Sequence, residues 1–184
     1  MGLYLKCWLG PPLGDKMKPI LPHSQTRQSD GSWLLESKTF LDYPIEEVFR
    51  FFQDAHNLQV LTPEFLGFEV LTPQPIEMKA GVLIDYRIRL HGIPLRWRTQ
   101  IIDWNPPFSF VDQQLRGPYR QWHHTHEFES LDGGTICTDR VRYRVFGGAI
   151  IQRLFVRSDV DRIFRYRAEK LLDLFPPKGS VKTI

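Results

Sequence analysis

The hydrophobic and polar positions of residues 156–175 recur with the period of an α-helix. At about 100° of rotation per residue, the apolar side chains fall on one broad stripe and most charged side chains fall opposite. The pattern predicts an amphipathic helix whose apolar stripe faces the core of the protein. The stripe consists of Val160, Ile163, Phe164, Ala168, Leu171, Leu172 and Phe175.

Arg167 lies on this apolar stripe, between hydrophobic neighbours. A guanidinium buried there without a partner would cost several kcal/mol. Two interpretations stay open at this point. In the first, the side chain reaches the edge of the stripe or pairs with a structural carboxylate. In the second, it is a charge inside a cavity.

The apolar residues before this helix fall largely on the other side of the same cylinder, so one straight helix cannot bury both sets. We therefore expect a break near Arg157 and a helix that begins at Ser158, because Ser158 and Asp161 have the spacing of a capping box. The apolar residues before the break are Ile150, Ile151, Leu154 and Phe155.

The first half of the chain shows a different pattern. Residues 33–41 combine alternation with apolar residues and predict a first strand. Pro44 suits the first turn of a helix, and residues 57–66 predict a second short helix that Pro63 interrupts. The first helix has a predicted buried stripe of Ile45, Val48, Phe49 and Phe52.

From Gly67 onward, glycine and proline turn signals separate short runs of alternating residues, with no helical period between them. This punctuation predicts an antiparallel meander of six strands. Each strand has one apolar, aromatic face and one charged face, and the long C-terminal helix is available to cover the apolar face. The element order β-α-α-β6-α predicts an α+β fold with a seven-stranded antiparallel sheet.

The predicted inward faces contain more polar residues than a plain core would tolerate. Five polar residues from three successive strands are predicted to face inward: Asp112, His124, His126, Asp139 and Tyr143. Buried polar groups must find partners, so we expect a network in which each imidazole lies beside a carboxylate. Arg167 could bridge Asp112 or Asp139 in a fork geometry.

Three interpretations of this network compete. It could tie the helix to the sheet, or form the polar end of a mostly apolar pocket and orient a ligand. Alternatively, His124 or His126 could act as a general acid/base oriented by Asp139. A void of roughly several hundred Å³ would separate the structural interpretation from the other two.

The two histidines on one predicted strand face raise the possibility of a metal site. His124 and His126 project from one strand face at a spacing that can chelate zinc or iron, and Asp112 or Asp139 could complete the set. Cupin barrels use such a histidine pair, but this sequence lacks their later glutamate and final histidine. We therefore predict no metal ligand and no cofactor.

Composition narrows the class of protein. The 184 residues suit one domain, and residues 1–30 contribute most of the net charge of +3, so the basic balance says little about nucleic acid. Two cysteines are too few for a disulfide framework, and no run approaches the roughly 18 apolar residues of a membrane span. We predict a cytoplasmic protein without nucleic-acid partners or integral membrane association; the oligomeric state is not predicted.

The predicted element order, with its last helix containing IFRYRAEKLLDLF, resembles the SRPBCC superfamily over residues 33–175. This superfamily includes START lipid-transfer domains, the birch-pollen allergen family and polyketide cyclase/dehydrase-like proteins. A bacterial ligand-binding branch is similar in AGVLIDYRIRLHGIPLRWRTQI, GPYRQWHHTHEF and DRVRY. The resemblance implies a helix-grip fold, in which a curved sheet wraps the last helix and encloses a cavity for a hydrophobic ligand. It does not supply a reaction.

These observations predict a poorly ordered extension over residues 1–30, a helix-grip domain over 31–178 and a tail over 179–184. We expect the domain to bind a lipid, quinone or polyketide-like molecule between the sheet and the last helix. The alternative is a cyclase or dehydratase that uses His124 or His126 with Asp139, and whether the protein is an enzyme stays open. The predicted ligand-binding residues are Tyr86, Phe110, Asp112, Trp122, His124, His126, Phe128, Asp139, Val141, Tyr143, Phe164 and Arg167.

Overall fold

The structure is a computed structural model, and it describes residues 23–178. The predicted C-terminal tail and residues 1–22 of the predicted extension lie outside the described residues. In the described part, no helix combines the length and the apolar character needed to cross a membrane.

The described strands form one antiparallel sheet in the order β1-β2-β8-β7-β6-β5-β4-β3. The neighbouring strands β7 and β8 are among the longest, with 11 residues each. The strand bounds are β1 Ser24–Arg27, β2 Trp33–Leu41, β3 Glu69–Val70, β4 Leu83–Leu90, β5 Ile93–Asn105, β6 Ser109–Arg116, β7 Gln121–Leu131 and β8 Gly134–Arg144.

The helices lie in two groups, one between β2 and β3 and one after β8. Between β2 and β3 they are α1 Ile45–Phe52, α2 Asn57–Val60 and a 3₁₀ turn Glu64–Leu66. After β8 they are α3 Gly148–Ile151, a π-helical turn Gln152–Val156 and α4 Arg157–Leu174. The predicted buried stripe of α1 is confirmed: Ile45, Val48, Phe49 and Phe52.

The arrangement is a helix-grip fold, as predicted: a curved antiparallel sheet holds the long helix α4 against its apolar face. Register shifts between β5 and β6, near Arg98 and Ile101, mark local irregularities of the kind that bend and twist strands. The apolar stripe of α4 is buried, with Val160, Phe164 and Leu171 each 3% exposed or less. The domain therefore has a core between the sheet and α4.

The sheet has eight strands, and the predicted number of seven is corrected by β1. This strand lies inside the predicted extension and pairs antiparallel with β2, where Gln25 is opposite Leu35. Its sequence, SQTR, is polar, and three of its four residues are exposed. Backbone pairing with β2 holds this strand in the sheet. Its side chains show no hydrophobic alternation, so the sequence pattern did not predict it.

The break expected before the long helix takes the form of a π-helical turn rather than a capping box. Val156 precedes α4 with helical backbone angles and no side-chain cap, so the predicted capping box at Ser158 is wrong, although α4 begins only one residue before the predicted start. The helix continues because a π turn tolerates an extra residue in its hydrogen-bond ladder. The conflict between the two apolar sets is resolved by exposure, since Ile150 is 71% and Leu154 64% exposed.

The exposure of this second apolar set gives a direct stability test. Leu171 is 1% exposed and Leu154 is 64% exposed. We expect Leu171→Ala to lower the free energy of unfolding by about 2–5 kcal/mol because it leaves a cavity. The matched variant Leu154→Ala should change it by less than about 0.5 kcal/mol. Urea unfolding followed by circular dichroism measures both, and equal losses would contradict this orientation of the helix.

Candidate functional site

A cavity of about 170 Å³ lies between the sheet and α4 and extends beneath α1 and α2. Its volume is below the several hundred Å³ that would by itself separate a ligand-binding or catalytic pocket from a structural network. Many lining residues are only partly buried, among them Leu58, Thr62, Leu90 and Pro118, so one side reaches the protein surface. The apolar wall includes Phe52, Leu61, Leu66, Ile84, Tyr86, Ile88, Trp97, Ile101, Phe110, Trp122, Ile163 and Phe164.

The polar end of the cavity is formed by three neighbouring strands and the C-terminal helix. On the sheet, Asp112 of β6 is opposite His124 of β7, and His126 of β7 is opposite Asp139 of β8. Because side chains two residues apart share a face of a strand, all four point toward α4. Arg167 of α4 meets them from the other side, and it is 4% exposed. The predicted inward network is therefore present.

The two imidazoles lie between the two carboxylates. The Nε2 of His124 is 2.9 Å from Asp139 Oδ1, and the Nε2 of His126 is 2.9 Å from Asp112 Oδ2. The Nδ1 of His126 is also 3.0 Å from Asp139 Oδ1. The ring centroids of His124 and His126 are 3.7 Å apart. Each carboxylate therefore lies close to both rings, and the four side chains form one cluster.

Arg167 is anchored to this cluster rather than to the edge of the helix. Its Nε donates a hydrogen bond to Asp139 Oδ2 at 3.0 Å, and its Nη2 lies 3.3 Å from His126 Nδ1. Its guanidinium also lies 5.4 Å from the centre of the Phe52 ring. Arg167 thus pairs with Asp139, not Asp112, and it also lines the cavity. Arg167 therefore pairs with a carboxylate, as in the first interpretation, and lies inside a cavity, as in the second.

The electrostatics of the cluster keep both carboxylates ionised. Burial alone would raise the pKa of Asp139, but the charge of Arg167 and hydrogen bonds from His124 and His126 hold it well below its usual value. Burial likewise opposes ionisation of Asp112, but the hydrogen bond from His126 helps to lower its pKa. Burial lowers the pKa of His124 to about 4, against the opposing effect of Asp139. His124 is therefore neutral at neutral pH.

Eight of the twelve predicted ligand-binding residues line the cavity: Tyr86, Phe110, Asp112, Trp122, His124, His126, Phe164 and Arg167. The other four do not line it. Asp139 lies behind the histidines, and Phe128 is covered by α1, where its ring packs against Phe49 and Phe52. Val141 is fully buried in a second core cluster with Leu35.

Tyr143 belongs to a different network from the histidine and aspartate cluster. Its hydroxyl donates to Gln25 Oε1 at 2.7 Å and accepts from Gln152 Nε2 at 2.7 Å. Burial raises its pKa to about 12, so the hydroxyl stays neutral. These contacts join β1, β8 and the π-helical turn, and Tyr143 is thus placed to stabilise the fold rather than to contact a ligand.

Many cavity residues were not predicted, and half of them come from the segment between β2 and β3, which contains α1, α2 and the 3₁₀ turn. Leu58 and Leu61 are three residues apart, a spacing that places them on one helix face and could have identified them. Leu66 and Met78 lie in segments without a regular hydrophobic period, so the sequence offered no signal for them. The cavity thus has one wall from the sheet and one from this helical insertion.

Arginines on the outer face of the sheet are partly neutralised by neighbours. Arg98 makes two hydrogen bonds of 2.8 Å to the carboxylate of Asp85, and Arg87 pairs with Glu69. Such exposed ion pairs contribute little to stability, but they reduce the positive charge of this hairpin. These ion pairs agree with the prediction that the outer face of each strand is charged.

The candidate metal ligands are Asp112, His124 and His126, whose donor atoms all lie within 4.8 Å of one another. They face the cavity, and two nitrogens with one carboxylate oxygen are a donor set suited to zinc or iron.

A reactive cysteine has no support at this site, since burial raises the pKa of Cys137 well above its usual value.

Comparison with known proteins gives a family match and a set of structural neighbours. A family model described as "Polyketide cyclase / dehydrase and lipid transport" matches residues 41–163. No protein among those with curated descriptions matches the chain in sequence.

Solved structures share the fold at low sequence identity. Protein Ms6760 from Mycobacterium smegmatis has a TM-score of 0.62 and 16% identity, covering 85% of this chain and 97% of that one. Protein CV1439 from Chromobacterium violaceum has a TM-score of 0.62 and 15% identity, covering 78% and 97%. Ginseng major latex-like protein 151 from Panax ginseng has a TM-score of 0.60 and 10% identity, covering 80% and 99%. These similarities establish the fold alone.

Proposed function

The chain belongs to the polyketide cyclase / dehydrase and lipid transport family, an SRPBCC-type family of ligand-binding domains, and from this premise we propose that it binds a small hydrophobic or amphipathic molecule. The ligand would be of the lipid, quinone or polyketide class and would occupy the cavity between the sheet and α4. The observation that carries this proposal is an apolar cavity with a single buried polar end. A ligand-binding site needs this combination, and a packed core does not.

The size of the cavity limits what can enter it. Apolar cavities of about 150 Å³ in proteins bind molecules such as benzene, and this cavity has a volume of about 170 Å³. It suits a small ring system or a short length of chain. A longer molecule would extend past Leu58 and Leu90, where the lining reaches the surface.

The polar end would orient the ligand. Arg167 and the two imidazoles present nitrogen atoms to the cavity, and Asp112 presents a carboxylate that is 19% exposed in its side chain. A hydroxyl, carbonyl or carboxylate of the ligand would replace its hydrogen bonds to water with hydrogen bonds to these groups. Aromatic walls such as Tyr86 and Trp122 would hold the apolar part.

The alternative, a cyclase or dehydratase, has less support. A general base works best when its pKa is near the operating pH, and burial lowers the pKa of His124 to about 4. Tyr143, one of the polar residues predicted to face inward, does not line the cavity. Asp139 contacts both histidines, which the general acid/base hypothesis requires, so its position does not distinguish the two functions. Binding without a reaction is therefore the function that we put forward.

We also propose that the protein acts in the cytoplasm, since its two cysteines suit a reducing compartment better than a disulfide framework. The partner in this proposal is a small molecule rather than a nucleic acid. Paired arginines on the outer face, such as Arg98 with Asp85, support that choice.

The proposal is tested on protein purified from its host without denaturant. We expect native mass spectrometry to show the added mass of a bound molecule, which solvent extraction removes, because an apolar cavity retains a hydrophobic ligand. The extracted protein should then bind a fluorescent fatty acid with saturation at one molecule per chain. Extracted protein that shows no saturable binding of this probe would rule out the proposed cavity function.

A further inference from the structure

Three donor atoms converge at the polar end of the cavity. The Oδ2 of Asp112 is 2.9 Å from the Nε2 of His126 and 3.5 Å from the Nδ1 of His124. A zinc ion with bonds of 2.0–2.1 Å to tetrahedral ligands holds those ligands about 3.3 Å apart. The two observed separations lie on either side of this value, and all three donor atoms lie within 4.8 Å of one another. Movement of the two imidazole nitrogens toward a common point would allow all three atoms to bind an ion.

The remaining nitrogen of each imidazole meets a second carboxylate. The Oδ1 of Asp139 is 2.9 Å from His124 Nε2 and 3.0 Å from His126 Nδ1. Histidines that bind a metal usually donate their other N–H to a carboxylate in this way, which fixes the tautomer and orients the ring. Arg167 holds the other oxygen of Asp139 at 3.0 Å. Asp139 is thus built as an outer support for both rings.

We propose that Asp112, His124 and His126 bind one divalent transition-metal ion, zinc or ferrous iron. Two imidazole nitrogens with one carboxylate oxygen select these ions over calcium and magnesium, which prefer oxygen ligands alone. The proposal replaces the sequence-based expectation of no metal. That expectation could not take into account that Asp139 contacts both rings from the side opposite Asp112.

The remaining coordination positions of this ion would face the cavity, because the three ligands line it and Asp139 does not. This last step rests on the proposed function: an oxygen of the bound molecule would complete the coordination. Binding of the ion itself requires no such molecule. The two proposals can therefore be tested separately.

The test uses untagged protein stripped with a chelator and titrated with Zn²⁺ in competition with a chromophoric chelator. We expect one saturable site per chain. Asp112→Asn and His124→Gln should weaken Zn²⁺ binding at least about 100-fold, and Asp139→Asn about 10–100-fold, as for other second carboxylates. The control His123→Gln changes the preceding residue of β7, whose side chain points to the opposite face of the sheet, and should leave the affinity unchanged.

A measurement on the unaltered protein guards against variants that fail to fold. Co²⁺ added to stripped protein should give visible d–d absorption at one equivalent, which Zn²⁺ abolishes. Absence of saturable Zn²⁺ and Co²⁺ binding would overturn the metal site, as would equal weakening in His123→Gln and His124→Gln. Fatty-acid probe binding is measured in parallel on stripped protein. Probe binding without metal binding refutes this inference alone, and metal binding without probe binding refutes the cavity function alone.

Discussion

Replacing Arg167 with methionine is expected to lower the free energy of unfolding of the metal-free protein by about 3–5 kcal/mol, because the change removes one partner of a buried ion pair. Arg167 is 4% exposed, and its Nε lies 3.0 Å from Asp139 Oδ2. The variant would leave the carboxylate of Asp139 buried with only imidazole donors. Methionine keeps much of the length of the side chain, so lost packing contributes less than the stranded charge.

The matched control is Arg165→Met on the same helix. Arg165 pairs with Asp161 at 3.1 Å, but its side chain is 62% exposed, so its loss should cost less than about 0.5 kcal/mol. Urea unfolding provides both values. Adding Asp139→Asn to Arg167→Met should cost less than the two single changes together, with a coupling of about 0.5–3 kcal/mol. Equal costs for Arg167→Met and Arg165→Met would show that Arg167 is not held as described.

The inward faces of the strands were predictable because the sheet has one covered face. Alternation in β7 predicted that His124, His126 and Phe128 point inward, and all three are buried. The helical period placed Arg167 on the apolar stripe of α4 in the same way, but it left open whether the side chain is buried or reaches the edge. A period of two in strands and of 3.6 in helices assigns faces without knowledge of the tertiary structure.

The residues of the histidine and aspartate cluster could be predicted from the sequence better than the hydrogen bonds that join them. The sequence offered Asp112 and Asp139 equally as partners for Arg167, and the register between β7 and β8 decided for Asp139. Registers depend on turns and bulges, which alternation does not report. Tyr143 shares the inward face of β8 with Asp139, but position along the strand separates it from the histidines.

Elements without a hydrophobic pattern were missed or misassigned. The strand β1 is polar and is held by backbone pairing with β2. The π-helical turn has no signature in the sequence, so the second apolar set seemed to require a break near Arg157. Phe108 lies two residues before Phe110, so a strand period of two predicts that it faces inward, but it precedes the first residue of β6 and is 56% exposed. In each case local backbone geometry, rather than side-chain period, decided the outcome.

Filling the cavity should abolish ligand binding while the fold persists. Leu61 is 2% exposed and lines the cavity. We expect Leu61→Trp to weaken binding of a fluorescent fatty acid by about tenfold or more, because the indole would occupy space that the ligand needs. Overpacking of this kind costs about 1–3 kcal/mol of stability, less than most domains possess. Fluorescence titration gives the affinity, and circular dichroism verifies the fold.

The control Leu154→Trp makes the same chemical change on the exposed side of the C-terminal helix, where the leucine is 64% exposed. It adds an indole to the surface and leaves the cavity untouched, so the affinity should stay within about twofold if the probe binds between the sheet and α4. A surface-bound probe would give the opposite order, with Leu154→Trp altering binding and Leu61→Trp leaving it unchanged. The pair therefore locates the ligand as well as detecting it, since Leu61 lines the cavity and Leu154 lies on the protein surface.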